Sequence, residues 1–276
     1  MTRRLAWLIA ALAASSGAEQ PPGRAGGPCV NGADRTMFAT AEATGGQAYL
    51  LDRSEIGRSA EVIIARMGHE LLLARAAGDS DIDHEFAFPV DSTVTSLVVS
   101  VWVQCRASIE ILPPAAATAD SRHRFLAGEV ARFPAPAPGM WRVRARGRGL
   151  WSISAEGKGD LDIESARFVR WGGRPGHEGW FPMTTPPPAG STGTLQVELS
   201  EEVSEVRFSL VAANSAPLAG LFDDTRFEHS PAAHFLRIQL PTGAFRLLVE
   251  GVDINGYPFR RLTGAAFLIP QAQPVR

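Results

Sequence analysis

The sequence predicts a mainly β protein: two consecutive antiparallel β-sandwich domains, Ig-like or jelly-roll-like, preceded by a short strand–helix segment. Three observations carry this. Apolar residues alternate with period 2 in many short runs between Phe86 and Phe259, the spacing of half-buried strands. Proline- and glycine-rich stretches such as Pro134-Ala-Pro-Ala-Pro-Gly139 and Thr185-Pro-Pro-Pro-Ala-Gly190 separate those runs. Helical periodicity is confined to one stretch, Ser54–Ile64.

The chain opens with the features of an export signal. Arg3 and Arg4 form a positive region, Leu5–Ala14 is apolar, and Ser16-Gly17-Ala18 supplies small residues for cleavage, so residues 1–18 read as a signal peptide. The apolar run is about half the roughly 20 residues a bilayer-spanning helix needs, so no membrane span is expected there. Thr2 and Leu5 fit a twin-arginine signal poorly, and Gly-Gly-Pro before Cys29 does not suit lipid attachment. The mature chain is therefore expected to be secreted, extracellular or periplasmic.

Residues 19–33 read as a flexible Gly/Pro-rich arm. Cys29 within it and Cys105 are a candidate disulfide in an oxidising compartment. The mobility of the arm argues the other way, and Cys105 falls at a strand end, so the sequence leaves the pairing open.

Residues 34–68 form the strand–helix segment. Thr44–Asp52 reads as a buried strand, and Ser54–Ile64 as an amphipathic helix whose stripe is Ile56, Ala60, Ile63 and Met67. That stripe is expected to pack on the first sandwich.

The first sandwich is placed at residues 69–159. Phe86, Phe88 and Val90 alternate, as do Leu97, Val99, Val101 and Val103, whose intervening residues (Val98, Ser100, Trp102) form a mixed face. Ile109–Ile111, Glu129–Phe133, Met140–Val143 and Trp151–Ser154 supply further short strands, with Arg146-Gly-Arg-Gly-Leu150 as a hairpin loop. The second sandwich is placed at 160–276. Asp160–Val169 leads into a long loop, Trp171–Gly179. The alternations Leu195/Val197/Leu199, Val206/Phe208/Leu210, Phe235/Ile238/Leu240 and Phe245/Leu247/Val249 make its core. Asn255-Gly256 marks a two-residue type I′ hairpin turn between Leu247–Val252 and Pro258–Ile269.

Composition excludes some functions. A formal net charge of −2 and a pI near 6.3 leave no basic surface for nucleic acid. Lys158 is the sole lysine among 27 basic residues, a compositional bias that says nothing about arginine function. No Gly-x-Ser-x-Gly elbow, His-Glu-x-x-His pair or phosphate-cradling loop with lysine occurs, so no enzyme, catalytic residue or cofactor is expected.

The candidate partner-facing residues are Trp171, His177, Glu178 and Trp180, aromatic and polar side chains in one Gly-rich loop. Asp91-Ser-Thr-Val-Thr95 has the donor order of a divalent-cation site, but a strand rather than a helix follows it, so no metal is expected. His229 and His234 lack the helical spacing of a zinc pair, Asp223-Asp224 reads as a solvated turn, and Asp253–Gly256 as hairpin chemistry.

An ordered set of motifs between about residues 34 and 267 resembles the extracellular region that follows a von Willebrand factor A domain in hemicentins. The motifs are Thr44–Ile64, Phe88–Val101, Ile109–Pro113, Pro138-Gly-Met-Trp-Arg-Val143, Asp160-Leu-Asp-Ile163 and Leu248–Arg261. Thr44–Ile64 is similar to the last strand and helix of the A domain, whose metal-ion-dependent adhesion front, Asp-x-Ser-x-Ser, has no counterpart between Glu19 and Met37. The resemblance implies a secreted, non-enzymatic binding or adhesion module whose partner is an extracellular protein or glycan. The alternatives are a structural remnant or fragment of a larger A-domain protein, or a hydrolase with its site near Trp171–Trp180. The hydrolase reading predicts a concave pocket with converging polar groups.

Overall fold

The computed structural model describes residues 28–201, 203–212, 216–219, 224–226 and 233–271. The signal-peptide reading and His229 and Asp223 lie outside these residues. The fold is mainly β, in two antiparallel sheets, with a short helical region near the N-terminus.

The N-terminal region differs from the expected strand–helix. Helix α1, Arg35–Thr44, starts where Asp34 accepts hydrogen bonds from the amides of Thr36 and Met37. It ends at Gly45 in the left-handed conformation (φ +79°). Residues 46–52 are not a strand; Gln47–Leu51 are buried without joining a sheet. The Arg75 guanidinium meets the carbonyls of Gly45 and Gly46, taking the place of a neighbouring strand. A 3-10 turn, Arg53–Arg58, follows under a capping box between Asp52 and Glu55, then α2, Ser59–Arg66. The buried side of α2 is Val62 and Ala65, whereas Met67 is 70% exposed and Ala60 is exposed. Because the first turn is 3-10, the register rotates away from the stripe that a continuous helix from Ser54 would present.

The strands are β1 (Leu71–Asp79), β2 (Ile82–Val90), β3 (Val94–Leu112), β4 (Ser121–Arg124), β5 (Gly128–Pro134) and β6 (Gly139–Gly159) in the first half. The second half holds β7 (Ile163–Gly172), β8 (Gly179–Pro182), β9 (Thr192–Leu199), β10 (Ser204–Val211), β11 (Pro217–Leu218), β12 (Asp224–Arg226), β13 (Ala233–Gln239), β14 (Arg246–Val252) and β15 (Pro258–Leu262). The first sheet runs β11-β10-β14-β15-β1-β6-β3-β5-β4, with β2 also on β6; the second runs β12-β13-β9-β7-β8.

Two strands are longer than their alternation suggests. Arg146–Leu150 is not a hairpin loop but a bend within β6, where Gly149 takes φ +84° and Gly147 comes so near the Cys105 carbonyl that a Cβ would sit 2.4 Å from its oxygen. Register shifts in β3 between Val103 and Cys105 and between Arg106 and Ser108 match that bend. One edge of β6 consequently serves β2 along residues 139–147 and β1 along 150–157. Both halves of β3 and β6 supply a single core with Phe88, Val99, Phe133, Trp141 and Ile153.

The mixed face of β3 has a physical explanation. Val98 and Trp102 pack with Val130 and Phe125 under Phe38, Tyr49, Leu51 and Val62, so the N-terminal region covers this side of the sheet. Cys29 and Cys105 form a disulfide across 76 residues, flanked by hydrogen bonds between Val30 and Gln104 in both directions.

The second core lies between the second sheet (Phe168, Leu195, Val197, Leu236, Ile238) and the β10–β14–β15 end of the first (Phe208, Leu210, Leu247, Val249, Phe259). Each half has its own core, yet one sheet passes through both by pairing β1 with β15. Buried charges tie the parts together. Arg75 on β1 makes a two-point contact with Glu42 of α1, and Arg246 of β14 donates to the Glu42 carbonyl. Burial, with the neighbouring charge of Arg75, pushes Arg246 down to about 10.

The β14–β15 turn is wider than the type I′ turn expected from Asn255-Gly256. Gly256 alone takes positive φ (+85°); the Gly256 amide donates to the Asp253 carbonyl, and the Asp253 carboxylate accepts from the amides of Asn255 and Tyr257. Asp253 supplies the local hydrogen bonds that let Asn255 stay in an ordinary conformation.

Candidate functional site

The Trp171–Gly179 segment is a β-hairpin rather than a long loop. Trp171 on β7 stands directly opposite Trp180 on β8, and only residues 173–178 turn. Gly173 (φ +121°) is required there, because a Cβ would come within 2.3 Å of the His177 carbonyl oxygen. His177 and Glu178 shape the turn: the His177 amide donates to Arg174 O, and the Glu178 carboxylate accepts from the Gly176 amide. Both are exposed, and among the described residues no hydrogen bond joins them to the two tryptophans.

Strand register assigns the tryptophans to the outer face of the second sheet, away from the core. Phe168, Leu195 and Leu236 point inward, so Trp171, Val169 and Arg167 on β7, Gln196 and Glu198 on β9, and Phe235 on β13 share the outer face. Trp171 and Trp180 meet edge to face at 5.5 Å, and Trp180 reaches Phe235 at 5.1 Å and 31°. Val169, Ala233 and Phe235 are buried in this cluster against Trp180, while Trp171 is 57% exposed at its end.

A polar network lies beside the rings. Glu198 accepts from Arg167 (3.2 Å), Gln196 (2.8 Å) and Ser165 (2.7 Å). An aromatic surface next to a fixed carboxylate, amide and guanidinium can stack on an apolar ligand face while offering donors and acceptors to its edge. The two tryptophans stand out in the sequence, whereas Phe235 reads there as a core residue and Arg167, Gln196 and Glu198 carry no mark of a site. The available signal was β9 itself, where Thr194, Gln196 and Glu198 alternate with buried Leu195, Val197 and Leu199.

The other candidates are structural. Asp91 is fully buried and its carboxylate is held by Arg261 at 2.7 and 3.2 Å and by Thr93, so the guanidinium occupies the position a cation would take. His234 is buried on the inner side of β13, its ring 4.9 Å from Phe208. Partial burial pushes Asp253 up, but hydrogen bonds from Ser92, Tyr257 and Asn255 hold its carboxyl below the usual range. A cleft between β2, β3 and β6 is lined by exposed ion pairs, Arg144–Glu85 at 2.7 Å and Arg146–Asp83 at 2.8 Å, that neutralise one another. Among the described residues, no cluster of three or more His, Cys, Asp or Glu could hold a metal ion, and no helix is long and apolar enough to cross a membrane.

The fold and face define a disulfide-bonded, two-sheet β protein with an aromatic–polar patch on its smaller sheet. No family model matches the chain, and no curated protein matches it. Among solved structures it is similar to the Bacillus licheniformis lipase BlEst2 in propeptide form, with 11% identity and a TM-score of 0.27. That likeness covers 68% of this chain and 43% of the lipase chain.

Proposed function

We propose that the chain is an exported binding module that recognises a glycan through the outer face of its second sheet. The observation that carries the proposal is the exposed Trp171 ring, braced from beneath by Trp180 and buried Phe235, beside the Arg167–Gln196–Glu198 network. Sugar rings present a flat C–H face and a hydroxyl rim, and this patch offers a surface for each. Export is supported by the N-terminal signal features and by the disulfide. The ordered resemblance to the hemicentin region supports an extracellular binding role.

Retention on immobilised neutral polysaccharides (a β-glucan, chitin and mannan) tests the reading. Wild-type protein is expected to be retained on at least one of them. Trp171→Ala is expected to lose retention, while Phe181→Ala, which opposes Arg170 on the other side of the same hairpin, keeps it. Equal retention of wild type and Trp171→Ala, or none of the wild type, would overturn the proposal.

A further inference from the structure

His69 lies between α2 and β1, and Ser96 near the start of β3. His69 Nε2 is 2.8 Å from Ser96 Oγ, and His69 Nδ1 is 3.2 Å from the Met67 carbonyl oxygen. A carbonyl only accepts, so Nδ1 carries the ring proton and Nε2 turns its lone pair to the Ser96 hydroxyl. The ring is held by its backbone: the His69 amide donates to Arg66 O at 3.1 Å and the Met67 amide to Ile64 O at 3.2 Å. Arg66 is itself anchored by the Glu156 carboxylate and the Tyr49 hydroxyl.

Both side chains are half-buried. Arg132 stands opposite Val98 on β5, one same-face position along from Ser96. Its Nε is ion-paired with the Asp120 carboxylate at 3.5 Å. A nucleophile, a base and an acceptor that orients the base thus lie in one hydrogen-bonded line, the relation an activated serine needs.

We propose that Ser96 and His69 form a nucleophile–base pair that cleaves carboxylic esters, with the Met67 carbonyl orienting the imidazole. The Ser96 Oγ bonds to the carbonyl carbon as its proton passes to His69 Nε2. The carbon–oxygen bond to the alcohol then breaks, and the alkoxide takes that proton. Water repeats the sequence on the acyl-serine, releasing the carboxylic acid and restoring Ser96. Burial, aided by the charge of Arg132 and opposed by Glu156 and the bonds to Met67 and Arg66, depresses His69 below its ordinary value. The imidazole is then neutral and able to accept a proton at pH 7. The site is separate from the aromatic face and does not depend on it.

An alkyl fluorophosphonate tests the pair on the full mature chain, because attack by Ser96 on phosphorus expels fluoride and leaves an adduct that mass spectrometry locates. The expected result is an adduct at Ser96 that is absent in Ser96→Ala and forms at least about 100-fold more slowly in His69→Gln. Its rate should rise with pH through the acidic range, level off by neutrality, and be unchanged in Trp171→Ala. Absence of an adduct on wild type, an adduct elsewhere, or an unchanged rate in His69→Gln would overturn the proposal. The wild-type outcome stands even where a variant fails to fold.

Discussion

Removing the disulfide is the perturbation whose size follows most directly from the structure. Cys29 and Cys105 are 76 residues apart, and the loop-entropy model assigns a cross-link of that span about 4.5 kcal/mol at 25 °C. For a domain of this size each kcal/mol moves the melting temperature by about 2–4 °C, so a fall on the order of 10–15 °C is expected. The bridge also fixes the start of the N-terminal region that covers Val98, Trp102 and Val130. Local loosening should therefore precede global unfolding. The assay compares Cys29→Ser/Cys105→Ser with wild type in calorimetry and in hydrogen exchange. The variant should melt lower, and its exchange should accelerate more across residues 30–66 than in β9 and β13. A melting temperature within about 2 °C of wild type would refute the reasoning, as would uniform acceleration throughout the chain.

Asp91→Ala leaves Arg261 buried and unpaired and should cost about 3–5 kcal/mol, whereas Asp91→Leu combined with Arg261→Met should recover most of it; chemical denaturation reads both. Asp253 binds its proton less readily when folded than when unfolded. Its contribution is therefore fully present above the unfolded carboxyl value of about 3.9 and is lost as pH falls through the lower folded value. Asp253→Asn should flatten the stability profile in that acidic window, measured by urea midpoints between pH 2 and 6.

The β architecture was legible because alternation records burial on one face, and the inward residues Val99, Val101, Val197 and Leu199 are the core. Val98 and Trp102 read only as a mixed face because their partners, Tyr49 and Val62, come from distant sequence. Helix α1 was not legible by period: Thr36, Thr40 and Thr44 weaken its pattern, and only the flanking Asp34 cap and Gly45 mark its ends. Length misled in β6, where glycines that ordinarily end a strand instead bend it. At the candidate site, the tryptophans stood out by type. Arg167, Gln196 and Glu198 look like any solvated strand face until register sets them beside Phe235.

The most direct test of the central claim is a calorimetric titration of the mature chain with the oligosaccharide corresponding to whichever polysaccharide retains it. Wild type and Phe181→Ala should bind with matching affinity, while Trp171→Ala weakens binding about tenfold or more, the equivalent of roughly 1.4 kcal/mol of lost stacking. Equal affinities for wild type and Trp171→Ala would contradict glycan recognition by the outer face of the second sheet.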